Sequence, residues 1–220
     1  MRLVVEVELQ YVYTGKAAPS VPIELAHLAL AGSESVAIVD TYFDTDKLAI
    51  RRAGCSLRIR VTDLEPNPVL TWKGEATRKD DPKGKKKRPE TEVPVDAVPD
   101  SGDGLVQMLR EQGLWEEVQA AAGLEDGAVL HSIGRIRNRR STHTYVNGLH
   151  RLELSWDRVE FPVGPPEVRV EVEVKFDHAE DYLARADEEL RKLFGDDLVV
   201  PERGKVRELC ERLYPALIAA

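Results

Sequence analysis

The chain has 220 residues, 42% of them hydrophobic and 32% charged, with a net charge of −8, which suits one large domain or two small ones around a buried core. An acidic total repels nucleic acid, so a nucleic-acid reading needs a local basic patch. Two cysteines, Cys55 and Cys210, give neither a disulfide framework nor zinc spacing, and no apolar run approaches the ~18 residues of a membrane helix. The expected setting is a reducing cytoplasm with no membrane partner.

In chain order, residues 2–13 alternate, with Glu6 and Glu8 on one face and Val5, Val7 and Leu9 on the other, the period of a half-buried strand. Residues 20–31 predict a helix with Ser20 as N-cap and Gly32 as stop. Strands are predicted at 36–43, 55–63, 68–75 and 88–95. In these, Leu57, Ile59 and Val61 oppose Arg58 and Arg60, Trp72 opposes Thr71 and Lys73, and Arg88, Glu90 and Glu92 share a face. Asp44 and Thr45 read as caps of the turn that follows them. The stretch 78–88, RKDDPKGKKKR, reads as an exposed loop; its basic run has no interleaved aromatics to favour RNA. Helical spacing covers 104–122 with a break at Gly113. Strands return at 134–146 and 149–161 around Asn147-Gly148, a tight-hairpin signal. Here Arg135, Arg137 and Arg139 oppose Ile136, and Glu153, Ser155 and Asp157 oppose Leu152, Leu154 and Trp156. A strand at 167–177 sets Glu171, Glu173 and Lys175 against Val170, Val172 and Val174. Helices at 178–194, stopped by Gly195, and at 202–213, ended by Pro215, complete the pattern. Trp72, Trp115 and Trp156 are placed in the core under helices.

One charged face per strand is what an antiparallel sheet with one solvated side shows. Here Arg and Glu recur as i, i+2 pairs on strand after strand. The expected fold is α+β: eight antiparallel strands closed into a barrel, a tunnel with a charged lumen and an apolar exterior covered by helices, forming a single domain over 1–220. Buried charges are costly unless paired or bound to a ligand. A lumen of both signs suits a polyanion with a divalent metal, cations holding phosphate oxygens and carboxylates holding the metal. There is no GxxxxGK[ST], so a P-loop is not the phosphate binder, and the five histidines show no metal spacing.

A run of motifs resembles the CYTH superfamily, the triphosphate tunnel metalloenzymes. VEVEL resembles its ExExK opening and YFDTDKLAIRRAGCSLRIR its next strands and turn. LTWKG, RPETEV, RNRR, LELSWDRV, VEVEV and PERGKV continue the match in order, over about residues 2–213. The resemblance implies an eight-stranded tunnel that binds a small-molecule triphosphate with Mg²⁺ or Mn²⁺. It implies Glu6, Glu8, Asp157, Glu171 and Glu173 as metal ligands, with Glu171, Glu173 and Lys175 serving catalysis. Arg58, Arg60, Lys73, Arg137, Arg139 and Lys205 would clamp phosphates; one cation near 4 Å contributes on the order of 4 kcal/mol at an effective ε of about 20 before desolvation. Glu153 could add a ligand or a base, and Glu90 and Glu92 could orient arginines or touch metal. The chain departs from the motif at Gln10, where the family has Lys; Lys175 is expected to supply part of the missing charge. The expected activity is a metal-dependent triphosphatase. Alternatives are an adenylate cyclase of the same family and a non-catalytic triphosphate or polyphosphate binder. A nucleic-acid partner is not expected, and a homodimer is left open.

Overall fold

The computed structural model describes residues 2–16, 19–75, 85–174 and 180–218, with side chains described except at 2–7, 85–88 and 180. In chain order the strands are β1 (Arg2–Tyr13), β2 (Glu24–Leu25), β3 (Leu28–Asp44), β4 (Ser56–Thr62), β5 (Val69–Lys73), β6 (Lys85–Pro94), β7 (His131–Asn147), β8 (His150–Glu160), β9 (Glu167–Val174) and β10 (Leu198–Val199). The helices are α1 (Ala49–Arg52), α2 (Gly102–Glu111), α3 (Trp115–Ala122), α4 (Glu180–Phe194), α5 (Lys205–Leu213) and α6 (Pro215–Ile218). All ten strands described join one antiparallel sheet. Neighbours run β1-β6-β5-β4-β3-β7-β8-β9, and β9 pairs in turn with β1.

Alternation gives the sheet two faces, and helices bury the apolar one. Leu57, Ile59, Leu70 and Trp72 pack under α2 and α3 against Leu105, Leu109, Trp115 and Val118. Leu9, Tyr11, Trp156 and Val172 pack under α4 against Leu183, Ala186 and Leu190. All three tryptophans are therefore core residues, as expected. The α2–α3 break falls at Gly113, whose φ of +67° favours glycine. Asp44 and Thr45 serve as caps: the Asp44 carboxylate accepts from the backbone N–H groups of Thr45, Ile50 and Arg51, and the Thr45 hydroxyl accepts from that of Ala49.

A third cluster sits differently. Tyr42, Ile136 and Val159 pack against Leu209 and Cys210 of α5. By register Tyr42 lies opposite Arg58, and Ile136 opposite Asp40, which is itself opposite Arg60. Opposite residues share a face, so α5 packs on the charged face of the sheet, not on the helix-covered one. Its approach is close: a Cβ on Gly134 would stand 2.9 Å from Leu213 Cδ1.

The helix expected over 20–31 is not formed. Ala26 and His27 have φ of 53° and 62°, the paired left-handed geometry of a primed two-residue hairpin turn, and Leu25 pairs with Leu28. Leu25, Ala26 and Leu28 are fully buried beneath α4, and Glu189 of that helix accepts from the Ala26 N–H at 2.8 Å. Burial of the turn outweighs the helix propensity of its Leu and Ala. The other hairpin is shifted by one residue: Asn147 pairs with His150, so the turn is Gly148-Leu149, with Gly148 at φ +60°. Pro215 follows the end of α5 as expected, and also opens α6, where a missing N–H does no harm.

Candidate active site

Strand register decides which side chains meet on the charged face. Glu153, Glu173 and Glu8 lie directly opposite one another on β8, β9 and β1. The next row is Ser155, Glu171 and Gln10. On the other side of the sheet, Asp40 faces Arg60, Tyr42 faces Arg58, and Ser56 faces Lys73, which faces Glu90. These residues enclose a cavity of about 260 Å³. Its cations are Arg58, Arg60, Lys73, Arg140 and Lys205. Its acids are Glu8, Glu90, Glu92, Glu153, Glu171 and Glu173.

Two buried charge clusters border the cavity. In the first, Asp40 accepts from Arg60 Nε at 2.8 Å and Nη2 at 2.9 Å, and from Arg58 Nη1 at 3.3 Å. Burial alone would raise the Asp40 carboxyl, but Arg58 and Arg60 hold it well below the usual carboxylate range. Glu90 lies 2.9 Å from Lys73 and 3.9 Å from Arg58, and Glu92 4.0 Å from Arg58, so both acids orient cations. Arg58 Nε is buried and meets no acceptor among the described residues.

In the second cluster Arg140 forks onto Asp157 with two contacts of 2.7 Å and reaches Glu171 as well. Lys205, the first residue of α5, donates to Asp157 at 2.5 Å and to Glu171 at 2.8 Å. Asp157 is fully buried. Burial opposes ionisation of both acids, yet Lys205 and Arg140 outweigh it and keep them below their ordinary values. Reciprocally, Lys205 is raised despite its burial, by Asp157 and Glu171.

The structure thus brings together Glu8, Arg58, Arg60, Lys73, Glu171, Glu173 and Lys205 of the residues singled out in the sequence. Asp157 stands beside them, turned to Arg140 and Lys205. Glu6 lies in β1 opposite Arg88, with its side chain outside those described, and Lys175 lies outside the described residues. Arg137 and Arg139 are not at the cavity: both are exposed and line hollows on the opposite face. The alternation in β7 is as expected, but its sense is reversed. Where α5 packs, the charged face of the sheet carries apolar Ile136, so Arg137 and Arg139 turn outward and Arg140 turns in. Arg140 and Asp40 were missed in the sequence. Arg140 shares its parity with apolar Ile136, so alternation alone turns it outward, and the register that sets it opposite Asp157 is what reveals it.

Among the described residues no three His, Cys, Asp or Glu converge on one metal position. The row Glu8, Glu173 and Glu153 nevertheless offers only oxygen donors, the set a hard divalent cation takes. Like charges directly opposite on neighbouring strands are unfavourable alone, so a cation there offsets a built-in repulsion. Glu8 is 3% exposed and accepts from Gln10 Nε2 at 2.7 Å; Glu153 accepts from Arg151 at 2.6 Å. The donor chemistry fits Mg²⁺ or Mn²⁺.

The CYTH domain family matches residues 5–198. The chain belongs to the CYTH family. Enzymes of the CYTH family generally use divalent metals. Solved structures share its fold. A protein from Hippeastrum, described as an adenylyl cyclase candidate with a dominant triphosphatase activity, superposes with a TM-score of 0.67 at 20% identity, covering 93% of this chain and 94% of its own. An adenylate cyclase candidate from Bacillus halodurans gives 0.58 at 14% identity, covering 94% and 98%. A protein from Pyrococcus horikoshii gives 0.52 at 17% identity, again covering 94% and 98%. No curated protein matches the chain. No helix among the described residues is long and apolar enough to cross a membrane.

Proposed function

We propose that this CYTH protein is a divalent-metal-dependent triphosphatase, a single domain whose strands β1 and β3–β9 close into a tunnel. The carrying observation is the cavity of about 260 Å³ in which, among the described residues, five cations accompany a row of three carboxylates. The description of the Hippeastrum relative supports triphosphate hydrolysis. The lining favours inorganic triphosphate over a nucleotide: among the described residues Tyr42 and Val206 are its only aromatic and apolar side chains, and a base needs an apolar wall.

Arg58 and Arg60, fixed by Asp40, hold the non-reacting phosphates, with Lys73 beside them. Arg140 and Lys205 stabilise charge on the transferring group. Asp157 and Glu171 aim these two cations. Glu8, Glu173 and Glu153, with Glu6, would hold Mg²⁺ or Mn²⁺, which supplies charge neutralisation and activation of water when bound. Lys175 supplies charge that Gln10 lacks.

The test is a panel of inorganic triphosphate, ATP and thiamine triphosphate with Mg²⁺ or Mn²⁺, measuring orthophosphate and cyclic AMP together. Orthophosphate released from inorganic triphosphate at the highest kcat/KM is expected. Cyclic AMP from ATP, or tight binding without product, overturns the reading.

A further inference from the structure

The arginines that the cavity leaves out form a surface of their own. Arg135, Arg137 and Arg139 on β7 and Arg158 on β8 are all exposed on the opposite face. Register sets Arg139 directly opposite Arg158, and Arg137 opposite Glu160. Like charges so placed destabilise a strand pair unless something neutralises them. Among the described residues, none of Arg135, Arg137 and Arg139 has an ion-pair partner. Glu160 lies 3.8 Å from Arg158 Nε. Beside the arginines run small apolar residues, Ala37 and Val39, and the two adjoining hollows share Val39, Arg137 and Glu160. Neither Ala37 nor Val39 belongs to the clusters under α2, α3 or α4. The result is an open groove, rich in guanidinium, on a chain whose net charge is −8.

We propose that this groove docks single-stranded nucleic acid through its phosphates. A guanidinium fork matches phosphate oxygens and keeps its charge at any physiological pH. Side chains on one face of a strand repeat every ~6.7 Å, a step comparable to that between phosphates of an extended strand tracked by a basic groove. The nearby aromatics, Phe161 and Trp156, are each 7% exposed, so the described residues give the groove no platform for stacking bases. It therefore grips backbone alone, takes RNA and DNA alike, reads no sequence and weakens steeply with salt. The local patch that an acidic chain needs for such a partner is formed by β7 and β8.

The test is fluorescence anisotropy of the full chain with 5′-hydroxyl U20 and dT20 oligonucleotides at 25–200 mM KCl. The absence of a 5′-phosphate keeps the cavity out of the measurement. Four phosphate contacts predict a slope of log K against log salt of about −3 for single strands. The triple variant Arg137→Ala/Arg139→Ala/Arg158→Ala should bring that slope to about −1 with its melting temperature unchanged, whereas Lys85→Ala/Lys86→Ala/Lys87→Ala should leave it as it was. If the triple variant melts early, Arg139→Gln alone decides, with an expected slope change of about 0.7. The proposal fails if no binding appears at 25 mM KCl, or if the lysine variant loses binding while the arginine variant keeps it. It also fails if polyglutamate or inorganic polyphosphate competes as well as the oligonucleotide at equal charge, since the surface would then fit an acidic protein or a bare phosphate chain.

Discussion

The two charge clusters beside the cavity are built in different ways. The heart of the first, Asp40, Arg58 and Arg60, comes from β3 and β4, one carboxylate between two guanidiniums, with Glu90 and Glu92 of β6 farther out at 3.9 and 4.0 Å from Arg58. Arg140, Asp157, Glu171 and Lys205 come from three strands and a helix, two acids against two bases. An anion meets the first cluster with its guanidiniums already aimed by Asp40 and only the longer contacts of Glu90 and Glu92 to Arg58 to displace. At the second it has to draw Arg140 or Lys205 from acids that are themselves buried, and a buried carboxylate without a partner is unfavourable. The first cluster is an anchor. The second couples binding to rearrangement, and its one member on a helix is Lys205, the first residue of α5.

The largest effect should come from breaking the second cluster. Arg140→Ala leaves the fully buried Asp157 with Lys205 as its one cationic contact among the described residues and loosens Glu171. Removing one partner of such a pair destabilises by about 3–5 kcal/mol, to be read as a lowered midpoint in urea. Turnover of triphosphate should fall about 10²–10³-fold if Arg140 is a preorganised donor. Arg137→Ala, three residues away on the outer face, should stay within about 0.5 kcal/mol. Equal losses in the two variants would show that the assignment of the faces of β7 is wrong.

That assignment is also where sequence reading and structure part. The eight long strands, their alternation and the helices over 104–122, 178–194 and 202–213 are legible because each carries its own period and its own stop. The segment 20–31 is not, because Ala26 and His27 adopt left-handed conformations that only the burial of Leu25 and Leu28 beneath α4 makes worthwhile. Arg137 and Arg139 were placed in the cavity by a sound local rule, that apolar faces turn out to the helices. The rule holds for β1, β4, β5, β8 and β9. It fails over the stretch of β7 that α5 covers on the charged face, where Ile136 turns in to meet Leu209. A long-range contact between residues about seventy positions apart in the chain leaves no trace in the alternation of β7 itself.

A middle-sized effect is expected with acid. Burial pushes Asp157 and Glu171 up, and Lys205 and Arg140 pull them further down, so both end below their ordinary values; Asp40 behaves alike beside Arg58 and Arg60. A depressed folded-state pKa contributes stability that is fully present above the unfolded value, near 4, and lost as pH falls through the folded one. Melting temperature should therefore be flat from pH 6 to 8 and fall steadily below about pH 4. Lys205, raised by the same acids, works in the other direction: its share is present below the ordinary lysine value and lost only as pH rises through the raised one. Asp40→Asn removes the acid of the anchor and should flatten part of the acid slope. If it flattens all of it, the second cluster contributes nothing, and the contrast between the two clusters is lost.

The smallest expected effect concerns Gln10, where the chain departs from the motif of its family. Gln10 lies opposite Glu171 and donates to Glu8, so it sits between the carboxylate row and the neutral cluster. A lysine there would give Glu171 a third cationic neighbour beside Arg140 and Lys205, the latter standing at 2.8 Å. The cluster would then carry a surplus positive charge, and Lys205 would be freer to meet phosphate. Losing one preorganised donor lowers rates about 10²–10³-fold. Adding one next to existing cations should return less, because like charges oppose each other; about a tenfold rise in kcat is expected for Gln10→Lys, near 1.4 kcal/mol. Steady-state kinetics on inorganic triphosphate measures it. If Lys175 already compensates, Lys175→Ala should lower kcat more than Gln10→Ala does. A Gln10→Lys variant no faster than the parent would mean that neutrality of the second cluster does not limit turnover, and that the glutamine is kept for its hold on Glu8.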